Sequence, residues 1–391
     1  MLTVSRNVLR RFRAVCQRTG IRKSRRAASP VVTLLGTADG YRLQVLTRDF
    51  GIEYSAPIAS PEISLRLPLE VFDACARRRE ELVTFNAEAD GRVELLWTDR
   101  GVPRRAECVQ RPPSQDSFPP MPTDFTANGV EMWSALGDAV TCTDVQSSRY
   151  ALGCLNLCGV GRIEATDGRQ ALVQTGYSFG WEDNVLVPGS ELLGCSDIEP
   201  GDTIEIGRTE EWVALRIGPW LIQLRIQKDA RFPKIEQVIP NPDFARSRLE
   251  LAASDAEFLR TTLPSLPCHD DVHRPITLDL NGRVLVRSRE PEGAYPVEVD
   301  LRASKLEGDA LTLNTDRRYV ERALQLGFRQ VRFHGPETPA LAIDDRRQFL
   351  WAVLDKASAI PRHEQAHKIE SPVIALKIPK SRRTVRTRAA A

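Results

Sequence analysis

No window of the chain approaches the ~18 consecutive apolar residues that a membrane-spanning helix needs, so no membrane partner is expected. The sequence has no Cys-x-x-Cys pair and no phosphate-binding loop. Those gaps remove the usual signatures of Cys-x-x-Cys zinc modules and of nucleotide-using enzymes. The cysteines are scattered: Cys16, Cys75, Cys108, Cys142, Cys154, Cys158, Cys195 and Cys268. Cys154 and Cys158 lie close together, but no second Cys or His pair completes a metal tetrad. Most sit in apolar runs and read as buried free thiols of a reducing cytosol. No cofactor and no resident metal are expected.

Acidic residues are missing from the whole N-terminal stretch. Met1 to Arg26 carries nine Lys or Arg, and the first acid is Asp39. At the other end, Lys356 to Ala391 carries nine basic residues against Glu364 and Glu370. The formal charge of +2 therefore hides basic ends around a net acidic middle. Such asymmetry favours a polyanion met by particular surfaces, with a merely solvated basic tail as the plain alternative. An Arg-rich, acid-free start also has the composition of a transit peptide. Against that, Leu2-Thr3-Val4 reads as a strand, and Val8, Leu9, Phe12, Val15 and Cys16 form one helical stripe.

What is present is a recurring hairpin. Ala165-Thr166-Asp167-Gly168 lies between two apolar runs, Ile163 onward and Ala171-Leu172-Val173, and Asp-Gly is a strong type I′ turn signal. Asp39-Gly40 stands 128 residues upstream and Asn281-Gly282 114 downstream. Three hairpins at near-constant spacing suggest one unit of roughly 120 residues used three times. A chain of 391 residues has room for this, and 42% hydrophobic residues supply a core for each unit.

The expected boundaries are 1–122, 126–247 and 248–355, with a basic disordered tail over 356–391. In the first unit a helix over Arg6 to Arg18 places Arg6, Arg10 and Arg13 away from the apolar stripe. A second helix opens at Pro68, carries Val71, Phe72, Cys75 and Leu82 inward, and bears Arg77, Arg78 and Arg79. The second unit has a helix from Glu131 to Val145, the central hairpin, and a short helix opened by Pro188. The third has a helix around Phe258 and Leu259 and another from Arg317 to Leu326. Phe118-Pro119 and Phe232-Pro233 mark matching unit ends. Strand-rich units with one early and one midway helix give an α+β class, both helices covering one face of antiparallel sheet.

These residues resemble the bacterial sliding clamp, the beta subunit of the replicative DNA polymerase III. The motifs are Arg149-Tyr150-Ala151-Leu152-Gly153, Ala165-Thr166-Asp167-Gly168, Arg231-Phe232-Pro233 and Val238-Ile239-Pro240, in the family's order over about Met1 to Leu354. The resemblance implies three tandem copies of a clamp-type domain forming a half-ring. It implies a homodimeric ring around double-stranded DNA, with the polymerase III alpha subunit, the clamp loader, other polymerases and repair proteins as partners. The place would be the cytoplasm, at the nucleoid. Arg26 and Gln146 match family DNA contacts, whereas Gly189-Ser190 replaces a family basic pair. Arg6, Arg10, Arg13, Arg77 and Arg78 are further DNA candidates from helix phase.

The resemblance also implies a partner-peptide pocket at Leu152, Thr166, Gly168, Arg169, Gln170, Ala171, Pro233, Gln237, Val238 and Leu354. Here the chain departs from the family. Arg169-Gln170-Ala171 replaces His-Arg-Leu, and Leu354-Asp355-Lys356 replaces Met-Pro-Met. Ala171 in place of Leu removes about 2 kcal/mol of apolar contact if buried. The edge strand near Arg104 to Gln110 lacks the large apolar residues expected at a dimer seam. Three functions follow for comparison: a non-enzymatic processivity clamp, a clamp-like paralog scaffolding a repair or regulatory partner, and an enzyme. The last would rest on Glu182, Asp183 and Asp167, or on Cys268, His269, Asp270, Asp271 and His273 as a divalent-ion loop. The plain reading of that loop is a polar connection.

Overall fold

The computed structural model describes residues 1–20, 30–113, 116–147, 151–291 and 295–372. Arg26, Arg149 and Tyr150 lie outside the described residues, as does the chain from 373 onward. The chain divides into two compact units, residues 1–239 with 345–350, and residues 240–344 with 351–391.

The first unit opens with β1 (Leu2–Ser5) and α1 (Arg6–Arg18). Ser5 caps the helix, accepting from the Asn7 N–H at 3.1 Å. The buried stripe of α1 is Leu9, Phe12, Val15 and Cys16, and Arg6 belongs to it. Then follow β2 (Val31–Thr37), β3 (Gly40–Leu46), β4 (Phe50–Ala56) and β5 (Ile63–Pro68). The second helix, α2, is only Phe72–Cys75. Arg77, Arg78 and Arg79 therefore lie beyond it, and Leu82 is exposed at the start of β6 (Leu82–Ala87). The chain cannot hold a longer helix here because the backbone of Ala76 is already extended. β7 (Arg92–Asp99) and β8 (Val102–Val109) complete the copy.

The second copy repeats this order with β9 (Thr126–Gly129), α3 (Glu131–Val140), β10 (Cys154–Cys158), β11 (Arg162–Thr166), β12 (Gln170–Thr175) and β13 (Asn184–Pro188). β14 (Thr203–Arg208), β15 (Trp212–Ile217) and β16 (Trp220–Arg225) follow. Pro188 ends a strand instead of opening a helix, and the residues after it are turns. Pro68 also ends a strand, but it caps a helical turn over Leu69–Val71 that runs on into α2, as expected. Both prolines sit on edge strands, β5 and β13, where a missing N–H costs no ladder bond.

The second unit carries β17 (Ser247–Glu250), α4 (Ala253–Thr262), β18 (Pro275–Leu280), β19 (Val284–Ser288) and β20 (Val297–Asp300). An additional strand, β21 (Lys305–Gly308), pairs with β17. β22 (Leu311–Asp316), α5 (Arg317–Gln325), β23 (Gln330–Phe333) and β24 (Ala340–Ile343) come next. β25 (Arg347–Trp351) is counted, up to Leu350, with the first unit.

Strand order shows the repetition directly. One sheet reads β5-β2-β3-β4 in the first copy, β13-β10-β11-β12 in the second and β22-β18-β19-β20 in the third. The other reads β1-β6-β7-β8, β9-β14-β15-β16 and, within the second unit, β17-β23-β24. β4 pairs antiparallel with β16, so the outer edge of one copy is taken by the last strand of the next. β12 likewise lies beside β25.

The three expected hairpins are not equivalent. Asp39-Gly40 joins β2 to β3 and Asn281-Gly282 joins β18 to β19, but Asp167-Gly168 joins β11 to β12, one strand pair further on. The true counterpart in the second copy is the β10–β11 turn at Gly161. Gly40, Gly161 and Gly282 stand 121 residues apart at each step. At Gly161, φ is +86° and a Cβ would meet the Tyr177 carbonyl oxygen at 2.3 Å, which excludes a side chain. None of the three is a type I′ turn, which needs two adjacent left-handed residues. At 167–168 only Gly168 has positive φ, and the Asp167 carboxylate accepts from the N–H groups of Arg169 and Gln170.

The described part of the segment expected as tail, 356–372, is folded onto the third copy. Ile360 is buried, and β26 (His367–Glu370) pairs with β20. Composition pointed to a tail, but Ile360, Ile369 and Ser371 each find a site in the third copy.

Burial raises the cysteine pKa values: Cys75 to about 11 and Cys158 to about 12, the latter also raised by the neighbouring Glu164 carboxylate. Cys16, Cys75, Cys142, Cys158 and Cys195 are buried. An aromatic disulfide reagent at mildly alkaline pH is expected to titrate promptly only Cys108 and Cys268, with Cys154, whose thiol burial pushes up to about 11, reacting slowly and the others appearing on denaturation. Prompt reaction of the full set in native protein would contradict this packing.

Candidate DNA and peptide interfaces

The arginines of α1 do not share one environment. Arg6 is 1% exposed. Its Nε donates to the Cys75 carbonyl at 2.8 Å and its Nη1 to the Thr98 carbonyl at 3.1 Å, with Glu81 and Asp99 each at 3.3 Å. It is a strut under the first copy and cannot reach phosphate, so its place among the DNA candidates is withdrawn. The helix phase that set it outward failed because Arg6 lies three residues before Leu9, on the buried face. Arg317, the first residue of α5, is used the same way. Its guanidinium donates to the carbonyls of Leu263, Leu266 and Pro267.

Arg10 and Arg13 are half-buried. Arg10 faces Asp197 at 3.5 Å, and Arg13 pairs with Asp73. Two arginines that the sequence reading passed over, Arg11 and Arg18, join Arg10 at the same point. Arg11 donates to the Asp197 carbonyl at 3.1 Å, and Arg18 lies 3.8 Å from its carboxylate. The Asp197 carboxylate thus answers Arg10 and Arg18, while Arg11 also lies 3.8 Å from Glu199, which leaves two acids for three arginines. No local pattern links Asp197 to α1, since 179 positions separate it from Arg18. Arg77 and Arg78 are exposed, as is Gln146, whose N–H donates to Asp144. Exposed arginines on short, strongly held turns suit phosphate contact, which needs charge and reach more than fixed geometry.

The peptide-pocket residues of the first unit come together from three segments. A Cβ on Gly168 would lie 3.7 Å from Leu152 Cδ1. The Ala151 N–H donates to the Arg231 carbonyl, tying the first segment to the Arg-Phe-Pro turn. Arg162 bridges Glu164 at 3.1 Å and also pairs with Glu236, tying β11 to the segment holding Gln237 and Val238. Thr166 is buried and donates to the Gln170 carbonyl at 2.6 Å, while its oxygen accepts from the Gly168 N–H. Gln170 is pinned by Asp167, Nε2 to Oδ2 at 2.9 Å. Ala171 is 3% exposed, so its side chain offers a partner almost nothing. Arg169, Gln237 and Val238 are exposed, Val238 at 56%. Leu152 and Pro233 are half-buried. Leu354 belongs to the second unit, bridged to Asn314.

Over the whole chain the structural likeness is consistent. The structure matches DNA polymerase III subunit beta from Pseudomonas aeruginosa with a TM-score of 0.72 at 19% identity, covering 90% of this chain and 99% of that one. The beta subunit from Thermotoga maritima gives 0.72 at 15%, with the same coverage. The C. crescentus beta sliding clamp gives 0.73 at 17%, again over 90% and 99%. The chain has the sliding-clamp fold. No protein-family model and no curated protein matches the sequence. The fold is thus carried by strand order and burial pattern, with little of the side-chain identity retained.

Several of the remaining chemical candidates have structural partners. Asp183 pairs with Arg208 at 2.6 Å, and Asp167 holds its own loop. In the 268–273 loop, Asp270 accepts from the N–H groups of Val272 and His273. Burial, with Arg289 nearby, pushes His269 down from the ordinary histidine range. Among the described residues no three His, Cys, Asp or Glu side chains gather as a metal site would require. Nor is any described helix long and apolar enough to cross a membrane.

Proposed function

We propose that this chain is a DNA sliding clamp: a non-enzymatic processivity factor that encircles duplex DNA and tethers the replicative polymerase in the bacterial cytoplasm. The observation that carries the reading is the repeated strand order, matched over nearly the full length of solved clamps. Its domains are taken as 1–122, 126–247 and 248–355, one per copy. Two chains joined head to tail close the ring, extending the antiparallel edge pairing that already joins β4 to β16. Arg10, Arg13, Arg26, Arg77, Arg78 and Gln146 serve as DNA contacts that read charge without reading bases. Confinement does the work. A ring that cannot leave sideways keeps a tethered polymerase at high effective concentration near the primer end.

A second reading, a clamp-like paralog for a repair or regulatory partner, is favoured by one feature. Ala171 is buried and Gln170 is locked onto Asp167, so the pocket offers a flatter, more polar floor than Leu and a free side chain would. In either case the polymerase III alpha subunit and the clamp loader are the partners to try first.

The test is topological. Loaded on nicked circular duplex, the protein is expected to stay bound through a high-salt wash, and a single cut that linearises the DNA is expected to release it. Equal loss from circular and linear DNA would sink the clamp reading. A peptide bearing the usual clamp-binding motif separates the two versions, because micromolar or tighter binding favours the main replicative clamp.

A further inference from the structure

The three copies differ at one edge. In the first, the outer edge of β4 is taken by β16; in the second, β12 lies beside β25. The third counterpart is β20. Its edge is taken instead by β26, in register from Val297 opposite His367 to Asp300 opposite Glu370. The pairing is parallel, whereas every other described strand pair in the register is antiparallel. Parallel pairing is the weaker of the two per residue.

The segment is fastened at both ends. Before it, Ile360 is buried and its N–H donates to Thr277 Oγ1 at 2.7 Å, and Arg362 holds Asp279 at 2.7 and 3.1 Å. After it, the Ser371 hydroxyl donates to the buried Asp255 carboxylate at 2.6 Å, and its N–H donates to the Asp300 carbonyl.

The complementary edge is also on the molecule. β8 is the counterpart of β16 and β25, and its outer edge has no strand beside it among the described residues. It presents Val102, Pro103, Arg104 and Arg105 to solvent, a long open edge of the kind that pairs with another chain. β20 carries Glu298 and Asp300, and Lys368 of β26 stands opposite Glu298. The arginines of β8 would bring the same sign of charge to that place.

We propose that residues 365–372 are a latch. They occupy the edge of β20 that β8 of a second copy needs, so the chain is held as a monomer and ring closure requires their release. This rests on the head-to-tail ring proposed above, and specifies what regulates it. The occupant that displaces the latch is a second copy of this chain, whose β8 is equivalent to the strands β16 and β25 that already cover β4 and β12.

The test compares the full chain with one ending at Glu364, which keeps Ile360 and Arg362 and removes β26. Sedimentation equilibrium is expected to show the full chain as a monomer and the shortened chain as a dimer, with self-association at least ~100-fold tighter, as removal of a ~1% competent fraction predicts. Equal association of the two, whether both monomer or both dimer, overturns the latch. Should the shortened chain lose its cooperative melting, Ile369→Pro in the full chain decides. The Ile369 N–H faces β20, midway between the bonded N–H groups of His367 and Ser371, so proline removes that ladder bond. A shift toward dimer supports the latch, and no shift overturns it. Retention on circular DNA, measured on the same proteins, reads the ring itself. A shortened chain that dimerises but leaves circular and linear DNA alike keeps the latch and removes the clamp.

Discussion

Replacing Asp279 by alanine is expected to cost roughly 3–5 kcal/mol of stability, the range for breaking a buried ion pair from one side. Asp279 is 1% exposed near the end of β18. It answers two arginines, Arg287 Nη2 at 2.6 Å from β19 and Arg362 at 2.7 Å. Arg287 is 2% exposed, and its Nε and Nη1 already lack partners. Without Asp279 its charge would be buried with no counter-ion. Denaturant unfolding followed at Trp351, the only Trp in the second unit, measures the loss. A cost under about 1 kcal/mol would mean that water reaches Arg287. The pH dependence has a definite sign. Burial works to raise the Asp279 pKa, but hydrogen bonds from Arg362 and Asn281 and the charge of Arg287 outweigh it, and the carboxyl is held below the usual range. A depressed carboxylate stabilises fully above its unfolded pKa, near 4, and loses that contribution as pH falls through the folded value. Asp279→Asn, uncharged throughout, is expected to lose stability at neutral pH and to show a flatter fall below pH ~4.

Arg6→Ala is expected to lose about 3 kcal/mol, because two buried carbonyls and a charge network lose their donor together. Arg6→Lys is expected to rescue little. An ammonium is one point charge and cannot span the carbonyls of Cys75 and Thr98 as the guanidinium fork does. Urea denaturation checks the first copy, where Trp97 sits in β7 beside Thr98. The contrasting outcome is informative. If Arg6 met phosphate, the alanine variant would keep its stability and lower the salt slope of DNA binding by about one unit.

These two side chains show where local reading stops. On α1 the apolar period was plain, and the helix forms over Arg6 to Arg18 as expected. The inward turn of Arg6 depends on carbonyls from Cys75 and Thr98, some 70 and 90 positions away, which no periodicity reports. The convergence of Arg10, Arg11 and Arg18 on Asp197 is hidden for the same reason. In the candidate peptide region, Thr166 accepts from the Gly168 N–H, and Leu152 lies beside Gly168. Gln170, however, is locked by Asp167, a contact set by the wider loop that replaced the expected type I′ turn.

The repeat itself was legible, though by a misaligned route. Hairpin signals spaced by 128 and 114 residues pointed to three units, yet the Asp-Gly at 167 belongs to a different strand pair from the other two. Turn chemistry is local and says that a chain reverses, but not which strands it joins. Strand order aligns Gly40, Gly161 and Gly282, and the spacing then becomes uniform. The C-terminal segment shows the reverse failure. Its composition suggested a tail, and buried Ile360 and Ser371 instead bind it to the third copy.

By its own pattern of apolar periods, turn residues and cysteine spacing, the sequence determined an α+β chain of three similar parts with no metal tetrad and no membrane helix in view. Those properties are short-range, set by which residues lie within one turn or one strand of each other. Only the tertiary structure decided that Arg6 is internal, that three arginines share Asp197, and that β26 fills the edge of β20. Each of those is a pairing between distant segments, chosen by burial and charge when the sheets assemble.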